Sequence, residues 1–289
     1  MPNTIALIKK YVSLLDEVYK NASVTSDLES NPATVRMGNN ANEILVPKMN
    51  MDGLGDYSRQ NGYAEGSVNL DWETKKFGYD RGRKFSVDAM DNEETDAMSF
   101  GMLAGEFVRT KVAPETDAWR FARYTELAGT VSTADFSVID DFCLAVNEAN
   151  TIMDEEEVPS EGRILYTTPS NINLVDTLES YKSKKMFERF AKVVSVPQSR
   201  FYSAIDLLDG KKGDELTGGY RKNASGKNLN FMIIHPRSVL QFTKHLVNKT
   251  ITPEANQSAD AWLYFYRAYG ITEVYDNKKK GIYASVSET

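Results

Sequence analysis

Cysteine and histidine are scarce in this sequence, which narrows the chemistry that the chain can perform. Among 289 residues there are one cysteine, Cys143, and two histidines, His235 and His245. One thiol excludes an intramolecular disulfide framework and is typical of a protein made in a reducing compartment. The histidines match no zinc or iron ligand spacing, because no cysteine pair accompanies them. We expect an inert, buried Cys143, two structural histidines with His245 in a helix, and no bound metal or cofactor.

Long apolar runs are also missing. No window approaches the ~20 apolar residues of a membrane-spanning helix. The start of the chain, residues 1–5, lacks the apolar region and the cleavage site of a signal peptide. These absences favour synthesis in the cytoplasm and no association with a membrane.

Basic residues are not in excess, and the formal net charge is −7. A dedicated nucleic-acid-binding protein usually carries a basic footprint, so the charge argues against that class but not against a protein that lies beside nucleic acid. Hydrophobic residues (41%) and charged residues (26%) are ordinary for a soluble globular protein of one large or two modest domains. The 15 tyrosines fit either core packing or interfaces between subunits.

Motifs for phosphate binding, nucleophilic catalysis and calcium binding are absent too. Gly218 and Gly219 are not followed by the Lys-Ser/Thr of a P-loop, and no Gly-x-Ser-x-Gly elbow occurs. The acidic residues 154–157 lack the spacing of a calcium loop and are interpreted as a solvated helix end. Since no spacing nominates a pair of catalytic acids, an enzyme stays only as an alternative.

The chain does contain a pair of strand-like segments that is predicted to be too long for its own subunit to bury. Residues 44–51 are predicted to form one strand, residues 52–66 a polar tip, and the return strand alternates Val68, Leu70 and Trp72 with polar residues. An isolated two-stranded ribbon is marginal in water. Its apolar face therefore needs another surface, for which a neighbouring copy is a better candidate than a small ligand. Pro47 fits an edge strand and argues against a central one.

The first half of the remaining chain is predicted to be an arm and long helices. Residues 4–20 have an amphipathic helical pattern, and residues 21–42 are polar enough to form an extended arm. Residues 81–88 are predicted to form a strand that leads into a long helix capped by Asp91. Pro114 lies inside this helix, which predicts either one kinked helix or two helices that meet there.

The second half alternates between helices and strands, which predicts an α+β or mixed-sheet domain. Helices are expected at residues 133–153, 172–181 and 238–249, and an exposed loop at residues 209–228. Strands are expected at residues 163–167, 192–196, 201–205, 230–236, 262–266, 271–275 and 282–286, the last two joined by a turn at residues 276–281.

This order of elements, and several phrases within them, resembles the major capsid proteins of tailed bacteriophages, which have the Hong Kong 97-type fold. The phrases are similar to those of phages that infect Gram-positive hosts, and they are Val46-Pro47-Lys48-Met49 through Asp52-Gly53-Leu54-Gly55-Asp56-Tyr57, Trp72-Glu73-Thr74, Tyr79-Asp80-Arg81-Gly82-Arg83-Lys84-Phe85, Asp88-Ala89-Met90-Asp91-Asn92-Glu93-Glu94-Thr95 and Lys280-Gly281-Ile282-Tyr283-Ala284. The resemblance covers most of the chain.

The resemblance implies an α+β fold with a division into five parts. These are an N-terminal arm (residues 1–36), an extended β-hairpin loop (37–80), a peripheral domain with a long spine helix (81–130), a mixed α/β axial domain (131–256) and C-terminal strands shared between the two domains (257–289). It implies subunit contacts at Asp52, Leu54, Tyr57, Arg59, Tyr63, Trp72, Arg81 and Arg83, and a spine-helix kink at Pro114.

The implied function is a shell protein that assembles as hexamers and pentamers into an icosahedral capsid around double-stranded DNA. The implied partners are further copies of the chain, portal and head-completion proteins, and DNA through non-specific contacts. Scaffolding is implied to come from a separate scaffolding protein or from a segment that has already been removed. The chain would be made in the host bacterial cytoplasm and end in the virion. Three alternatives stay open: an encapsulin-type compartment shell, a phage tail or connector protein, and a soluble enzyme.

Overall fold

The computed structural model describes residues 23–30, 36–37, 42–60, 62–94, 98–136, 139–177 and 185–288. The chain divides into two compact units, one of residues 31–78 and one of residues 1–30 with 79–289. The predicted helix at residues 4–20 and most of the predicted arm lie outside the described residues.

The strands are β1 (Arg36–Met37), β2 (Glu43–Met51), β3 (Val68–Lys76), β4 (Tyr79–Asp88), β5 (Thr130–Thr133), β6 (Ile164–Thr167), β7 (Lys192–Ser195), β8 (Ile205–Leu207), β9 (Tyr220–Lys222), β10 (Leu229–Ile234), β11 (Val239–Ile251), β12 (Ala261–Val274) and β13 (Ile282–Val286). The helices are α1 (Ala89–Glu94), α2 (Met98–Phe107), α3 (Ala113–Leu127), α4 (Ile139–Glu155) and α5 (Pro169–Thr177), with a π-helical turn at Val108–Val112.

The smaller unit contains a three-stranded sheet in the order β1-β2-β3. The larger unit contains a five-stranded sheet, β5-β13-β10-β6-β7, a three-stranded sheet, β11-β12-β4, and the short pair β8-β9. In the five-stranded sheet β13 pairs with β5 and β6 pairs with β7 in parallel, whereas the other pairs are antiparallel. The predicted α+β class with mixed sheets is therefore confirmed.

The five-stranded sheet is buried on both faces. Alternate residues of β6 and β10 enter different clusters: Tyr166 and Met232 pack with Phe121 of α3, and Leu165 and Phe231 pack on the other side with residues of α4 and α5. Burial on both faces requires continuous apolar strands, and this is why the strands predicted at residues 163–167, 230–236 and 282–286 are found in the structure. A third cluster joins the sheet β11-β12-β4 to α2 and the π turn.

The long helix runs from α2 through the π turn into α3 without leaving helical geometry. Val112 and Ala113 both have αR backbone angles, and the Ala113 N–H donates to the Val108 carbonyl, five residues back. A proline inside a helix clashes with the carbonyl four residues earlier, and a widened π turn before Pro114 relieves that crowding. The helix is therefore continuous across Pro114, and the predicted kink there stays a prediction. The start of α1 was predicted wrongly, because the cap is Asp88, whose carboxylate accepts from the Met90 N–H at 2.9 Å.

The largest correction concerns residues 239–251. A helix was predicted there, but the segment is the 13-residue strand β11, which places His245 in a strand. β11 pairs with the 14-residue β12 along nearly its whole length, and its Val, Thr and Ile residues suit a strand, so tertiary pairing overrides the weak helical pattern. The two strands predicted at residues 262–266 and 271–275 are both parts of β12. β12 continues through Gly270, which lies between the two predicted strands. The absence of a side chain at Gly270 lets the backbone of Phe242 in β11 approach closely.

Three further boundaries differ from prediction. The helix expected from residue 133 begins at Ile139, because residues 130–133 form β5 beside β13. The strand expected at residues 201–205 is β8, at Ile205–Leu207, and the helix expected at residue 172 begins at Pro169. Residues 276–281 do not join a hairpin, because β12 and β13 belong to different sheets. The first and the last of these differences reflect pairing with strands that are distant in the sequence.

Residues 23–30 are held on the larger unit by one buried carboxylate. Asp117 of α3 is completely buried and accepts hydrogen bonds from the hydroxyls of Ser23 and Thr25, both at 2.7 Å, and from the Val24 and Thr25 N–H groups. Arg120 is buried as well and donates to the Thr25 hydroxyl at 2.7 Å, while Arg200 forms an ion pair with Asp117. This network anchors residues 23–30 to α3.

Candidate assembly surface

The hairpin β2–β3 is paired along its full length. Nine residue pairs run from Glu43 opposite Lys76 to Met51 opposite Val68. β1 pairs only with Ile44 and Leu45, so β2 is a central strand at its start and has one described neighbour beyond that point. At Pro47 itself β2 has β3 as its only described neighbour, as predicted for an edge strand. The missing N–H of Pro47 therefore interrupts no hydrogen bonds to a described strand on the other side.

One face of this hairpin is apolar and exposed. Residues directly opposite each other in an antiparallel pair share a face, and on this face lie Met51 with Val68, Met49 with Leu70, and Pro47 with Trp72. We call these six residues the apolar stripe. The exposed fraction of its large side chains ranges from 38% for Trp72 to 66% for Val68. A contiguous exposed stripe of this kind is typical of a surface that another molecule covers.

The opposite face of the hairpin changes character along its length. Ile44 and Val46 are buried, whereas the next pairs on the same face are polar: Lys48 with Asp71, and Asn50 with Asn69. The distal half of the hairpin thus has one apolar and one polar face, both accessible to solvent. Exposure to water is thermodynamically unfavourable only for the apolar face.

The tip of the hairpin is an ordered turn that displays aromatic rings. Asp52 and Ser67 continue the ladder, since the Asp52 N–H donates to the Ser67 carbonyl and the Ser67 N–H donates to the Asp52 carboxylate at 2.8 Å. Ser58 and Gly62 exchange two backbone hydrogen bonds, and Gly62 has a φ of 79°, a conformation that favours glycine.

Four of the predicted contact residues project from this tip. The Tyr57 and Tyr63 rings meet edge to face, with centroids 4.9 Å apart, and 88% of Tyr63 is exposed. Leu54 is fully exposed, and Arg59 is exposed too. Asp52 instead helps to close the base of the tip. The structure thus brings Tyr57 and Tyr63 into contact and leaves all four side chains exposed.

The other two predicted contact residues, Arg81 and Arg83, lie on β4 and bind their own subunit. Arg81 forms an ion pair with Glu115 at 2.7 Å and donates to the Gly219 carbonyl. Arg83 donates to the carbonyls of Gly210 and Leu216. Both side chains thereby hold the loop at residues 209–219, and their predicted contact with a neighbouring subunit stays a prediction.

A cavity of about 790 Å³ lies between β4, the long helix and this loop. Its lining mixes aromatic rings such as Phe85 and Phe107 with charged groups. Two of its arginines are already engaged, Arg81 with Glu115 and Arg200 with Asp117. The cavity shows no arrangement of nucleophile, base and positioning group.

The residues considered for metal binding or nucleophilic catalysis are separate in the structure. Within the described ranges, no three His, Cys, Asp or Glu side chains are grouped so that they could hold a metal ion. His235 is buried, and its Nδ1 accepts from the Arg237 N–H at 3.2 Å. Cys143 is half-buried, and this burial raises the pKa of its thiol, which disfavours the reactive thiolate. In the part of the chain that the structure describes, no helix is long and apolar enough to cross a membrane.

Sequence reasoning missed some of the residues that matter here. Met49 and Met51 belong to the apolar stripe, and their spacing of two from Pro47 is the signal that could have placed them there. The acidic residues 154–157 are not simply a solvated helix end, because Asp154 forms an ion pair at 2.6 Å with the buried Arg163. Asp117 carried no sequence signal for its role, since its partners lie more than 80 residues away.

No family model matches this chain, and no curated protein is similar to it in sequence. Solved structures do match it. The asymmetric unit of the mature capsid of bacteriophage PhiM1 is similar at 12% identity with a TM-score of 0.60, over 88% of this chain and 85% of that one. The capsid structure of the cyanophage P-SCSP1u is similar at 12% identity with a TM-score of 0.57, over 93% and 89%. A virus-like particle from Pyrococcus furiosus is similar at 12% identity with a TM-score of 0.54, over 96% and 99%.

The chain has the Hong Kong 97-type capsid fold. This confirms the fold class that the sequence resemblance implied, over nine-tenths of the chain and at identities far below those that reveal kinship in sequence. The division of the capsid fold into arm, extended loop, peripheral and axial domains at the predicted boundaries stays a prediction. The apolar stripe and the aromatic tip lie within the segment predicted to be the extended loop.

Proposed function

We propose that this chain is a major capsid protein of a tailed bacteriophage. Its copies assemble as hexamers and pentamers into an icosahedral shell that encloses a double-stranded DNA genome. The observation that carries this proposal is the apolar stripe, which a capsid fold leaves exposed on a single chain. Such a surface suits a protein whose work is collective and structural, and no residue is proposed to catalyse a reaction.

The energetics support burial of the stripe by a neighbouring copy. Fully burying a Val, Leu or Met side chain contributes about 1.5–3 kcal/mol. Because the large side chains of the stripe are about half exposed, covering all five contributes on the order of 5 kcal/mol per contact before the cost of association. A closed shell repeats each contact many times, so a modest contact is sufficient.

The same proposal assigns partners and location. A separate scaffolding protein guides assembly, portal and head-completion proteins complete the head, and the inner wall meets DNA through non-specific contacts. The net charge of −7 limits adhesion of that DNA to the wall. Assembly takes place in the host bacterial cytoplasm, and the mature chain is located in the virion.

Negative-stain microscopy of the purified chain, produced with and without the scaffolding protein, tests the proposal. We expect closed shells of uniform diameter. Tubes or flat rings would indicate a tail or connector protein instead, and a small oligomer under both conditions would contradict assembly as a capsid.

A second candidate function is a compartment shell that holds protein cargo. The virus-like particle from Pyrococcus furiosus matches over nearly all of both chains, but it supports this alternative no better than the phage capsids support the capsid protein. Both candidates predict closed particles, so the contents distinguish them. Nuclease-resistant DNA in particles from infected cells supports the capsid protein, whereas a stoichiometric protein cargo supports the compartment shell.

Substituting Trp72 by Ala should weaken assembly much more than it destabilises the subunit. A buried tryptophan at an interface contributes about 2 kcal/mol or more to the free energy of association. Its loss should therefore raise the protein concentration needed for assembly by about tenfold or more. Sedimentation of particles over a concentration series measures that threshold, and the melting temperature of unassembled subunits should fall by less than ~3 °C. Asn50→Ala, on the polar face of the same hairpin, is the matched control and should leave the threshold unchanged. Equal effects of the two substitutions would exclude the apolar stripe as the contact.

A further inference from the structure

The cavity between β4, the long helix and the loop at residues 209–219 has an apolar lining that is not fully covered. Four half-buried side chains contribute to this lining: Phe85, Leu103, Phe107 and Leu208. Packed protein interiors leave few voids larger than a water molecule, whereas this cavity has a volume of about 790 Å³. It therefore has room for several apolar side chains of another segment.

The cavity is preformed, because its loop wall is fixed around one arginine. Arg83 donates to the carbonyls of Gly210 and Leu216. Gly210 and Gly218 have φ values of 69° and 64°, and a side-chain carbon at either glycine would approach the Arg83 guanidinium to 2.6 or 3.4 Å. These two glycines therefore let the loop close on Arg83. A preformed site loses less conformational freedom when a segment binds to it.

The sequence contains a segment with a large apolar surface outside the described residues. In the helix predicted at residues 4–20, positions advance by about 100° per residue. All charged residues of this segment then fall within one half of the helix circumference, and the large apolar residues fall within the other half: Ile5, Leu7, Ile8, Tyr11, Val12, Leu14, Leu15, Val18 and Tyr19. Such a helix depends on the packing of its apolar half against another surface.

The first described residues lie next to the cavity. The Ser23 hydroxyl donates to the Asp117 carboxylate at 2.7 Å, and Arg200, which lines the cavity, donates to the same carboxylate at 3.3 Å. Lys20 precedes Ser23 by three residues, a separation of at most about 11 Å along an extended chain. A helix of residues 4–20 would be about 25 Å long, at ~1.5 Å per residue. It can therefore reach across the cavity of its own subunit.

We propose that residues 4–20 form a helix that docks over the cavity of their own subunit and inserts its apolar half between the long helix and the loop. A helix with its side chains is about 10–12 Å across, so its backbone lies along the mouth of the cavity, and its apolar side chains, Leu15 among them, enter. The polar half, with Ser13 at its centre, faces solvent. This inference goes beyond the proposed function, because a single unassembled subunit contains both surfaces.

Covalent attachment favours this segment over an occupant from another molecule. Residues 23–25 are anchored to α3, so residues 4–20 are held close to the cavity. A short flexible tether gives an effective concentration in the millimolar range. A segment from a second copy or from a scaffolding protein has no such tether, and it loses translational and rotational freedom when it binds. The segment of the same subunit therefore occupies the cavity first.

Thiol labelling of unassembled, full-length subunits tests the docking. Leu15→Cys and Ser13→Cys, each combined with Cys143→Ala, place the only thiol of the chain at the centre of the apolar half or at the centre of the polar half. We expect the thiol of the Leu15→Cys variant to react at least tenfold more slowly than that of the Ser13→Cys variant, because docking covers only the first. The second variant also controls for helix formation, which by itself affects both positions. Equal rates would overturn the inference.

A second substitution tests whether the cavity is the place of docking. Leu208→Asp puts a charge into the apolar lining, so labelling of the Leu15→Cys thiol should accelerate at least fivefold. Leu144→Asp, at a leucine that is 67% exposed on α4, is the matched control and should leave the protection unchanged. Circular dichroism checks that both variants fold. Thr110→Glu, at an exposed residue that also lines the cavity, should accelerate labelling at least threefold without touching the core. Protection that survives both cavity substitutions would overturn the inference.

Dilution distinguishes a segment of the same subunit from one of another molecule. Protection within one subunit does not depend on protein concentration, so the ratio of the two labelling rates should stay constant over a hundredfold dilution. Loss of protection on dilution would mean that a second copy is involved, and protection that appears only with added scaffolding protein would mean that this protein covers the segment. Either result would overturn the inference. Because the subunits are unassembled throughout, a failure to form shells would contradict the proposed function and leave this inference intact.

Discussion

Replacing residues 53–66 by the dipeptide Asn-Gly should give a folded subunit that forms no closed shells. Asp52 and Ser67 already continue the ladder of β2 and β3, and Asn-Gly is the favoured two-residue connection between antiparallel strands. The replacement therefore removes Leu54, Tyr57 and Tyr63 without disturbing the strands. Because every subunit contact that uses the tip is lost at once, we expect at least a hundredfold rise in the assembly threshold.

Microscopy and sedimentation measure the loss of shells, and circular dichroism measures whether the subunit stays folded. Gly53→Ala is the matched control, since a methyl group at Gly53 would meet no atom within 4 Å and its backbone does not require glycine. This variant should assemble like the original chain. Normal shells from the Asn-Gly chain would contradict the role of the tip in assembly.

Substituting Asp117 by Ala should lower the free energy of unfolding by about 3–5 kcal/mol, because it removes the acceptor that Arg200 shares with several buried donors of residues 23–25. Denaturant titration of unassembled subunits measures the loss. Asp117→Asn retains one acceptor oxygen in the same place and should cost less. Asp141→Ala, on an exposed turn of α4, is the control and should cost under about 1 kcal/mol.

Hydrogen exchange provides a local readout of the same substitution. The amides of Val24 and Thr25 donate to the Asp117 carboxylate, so Asp117→Ala should accelerate their exchange more than that of β10 in the core. Uniform acceleration across the subunit would instead mean that Asp117 stabilises the whole fold and does not specifically anchor residues 23–30.

The sequence alone determined the elements whose surroundings are uniform along their length. The hairpin strands β2 and β3 were predictable because side chains in a strand alternate between faces, and one face is apolar in both strands. β6, β10 and β13 were predictable because a strand buried on both faces must be apolar throughout. The exposure of the aromatic tip followed from its polar and glycine-rich composition.

Tertiary structure alone decided the elements whose local pattern is ambiguous. Residues 239–251 have a spacing of apolar residues that a helix also satisfies. They form a strand because 12 of them pair with residues of β12. The sheet β11-β12-β4 likewise exists only because β4 and β12, which are distant in the sequence, are aligned in register. Asp117 became an anchor for the same reason: its donors arrive from residues 23–25, and no local pattern reports a partner so distant along the chain.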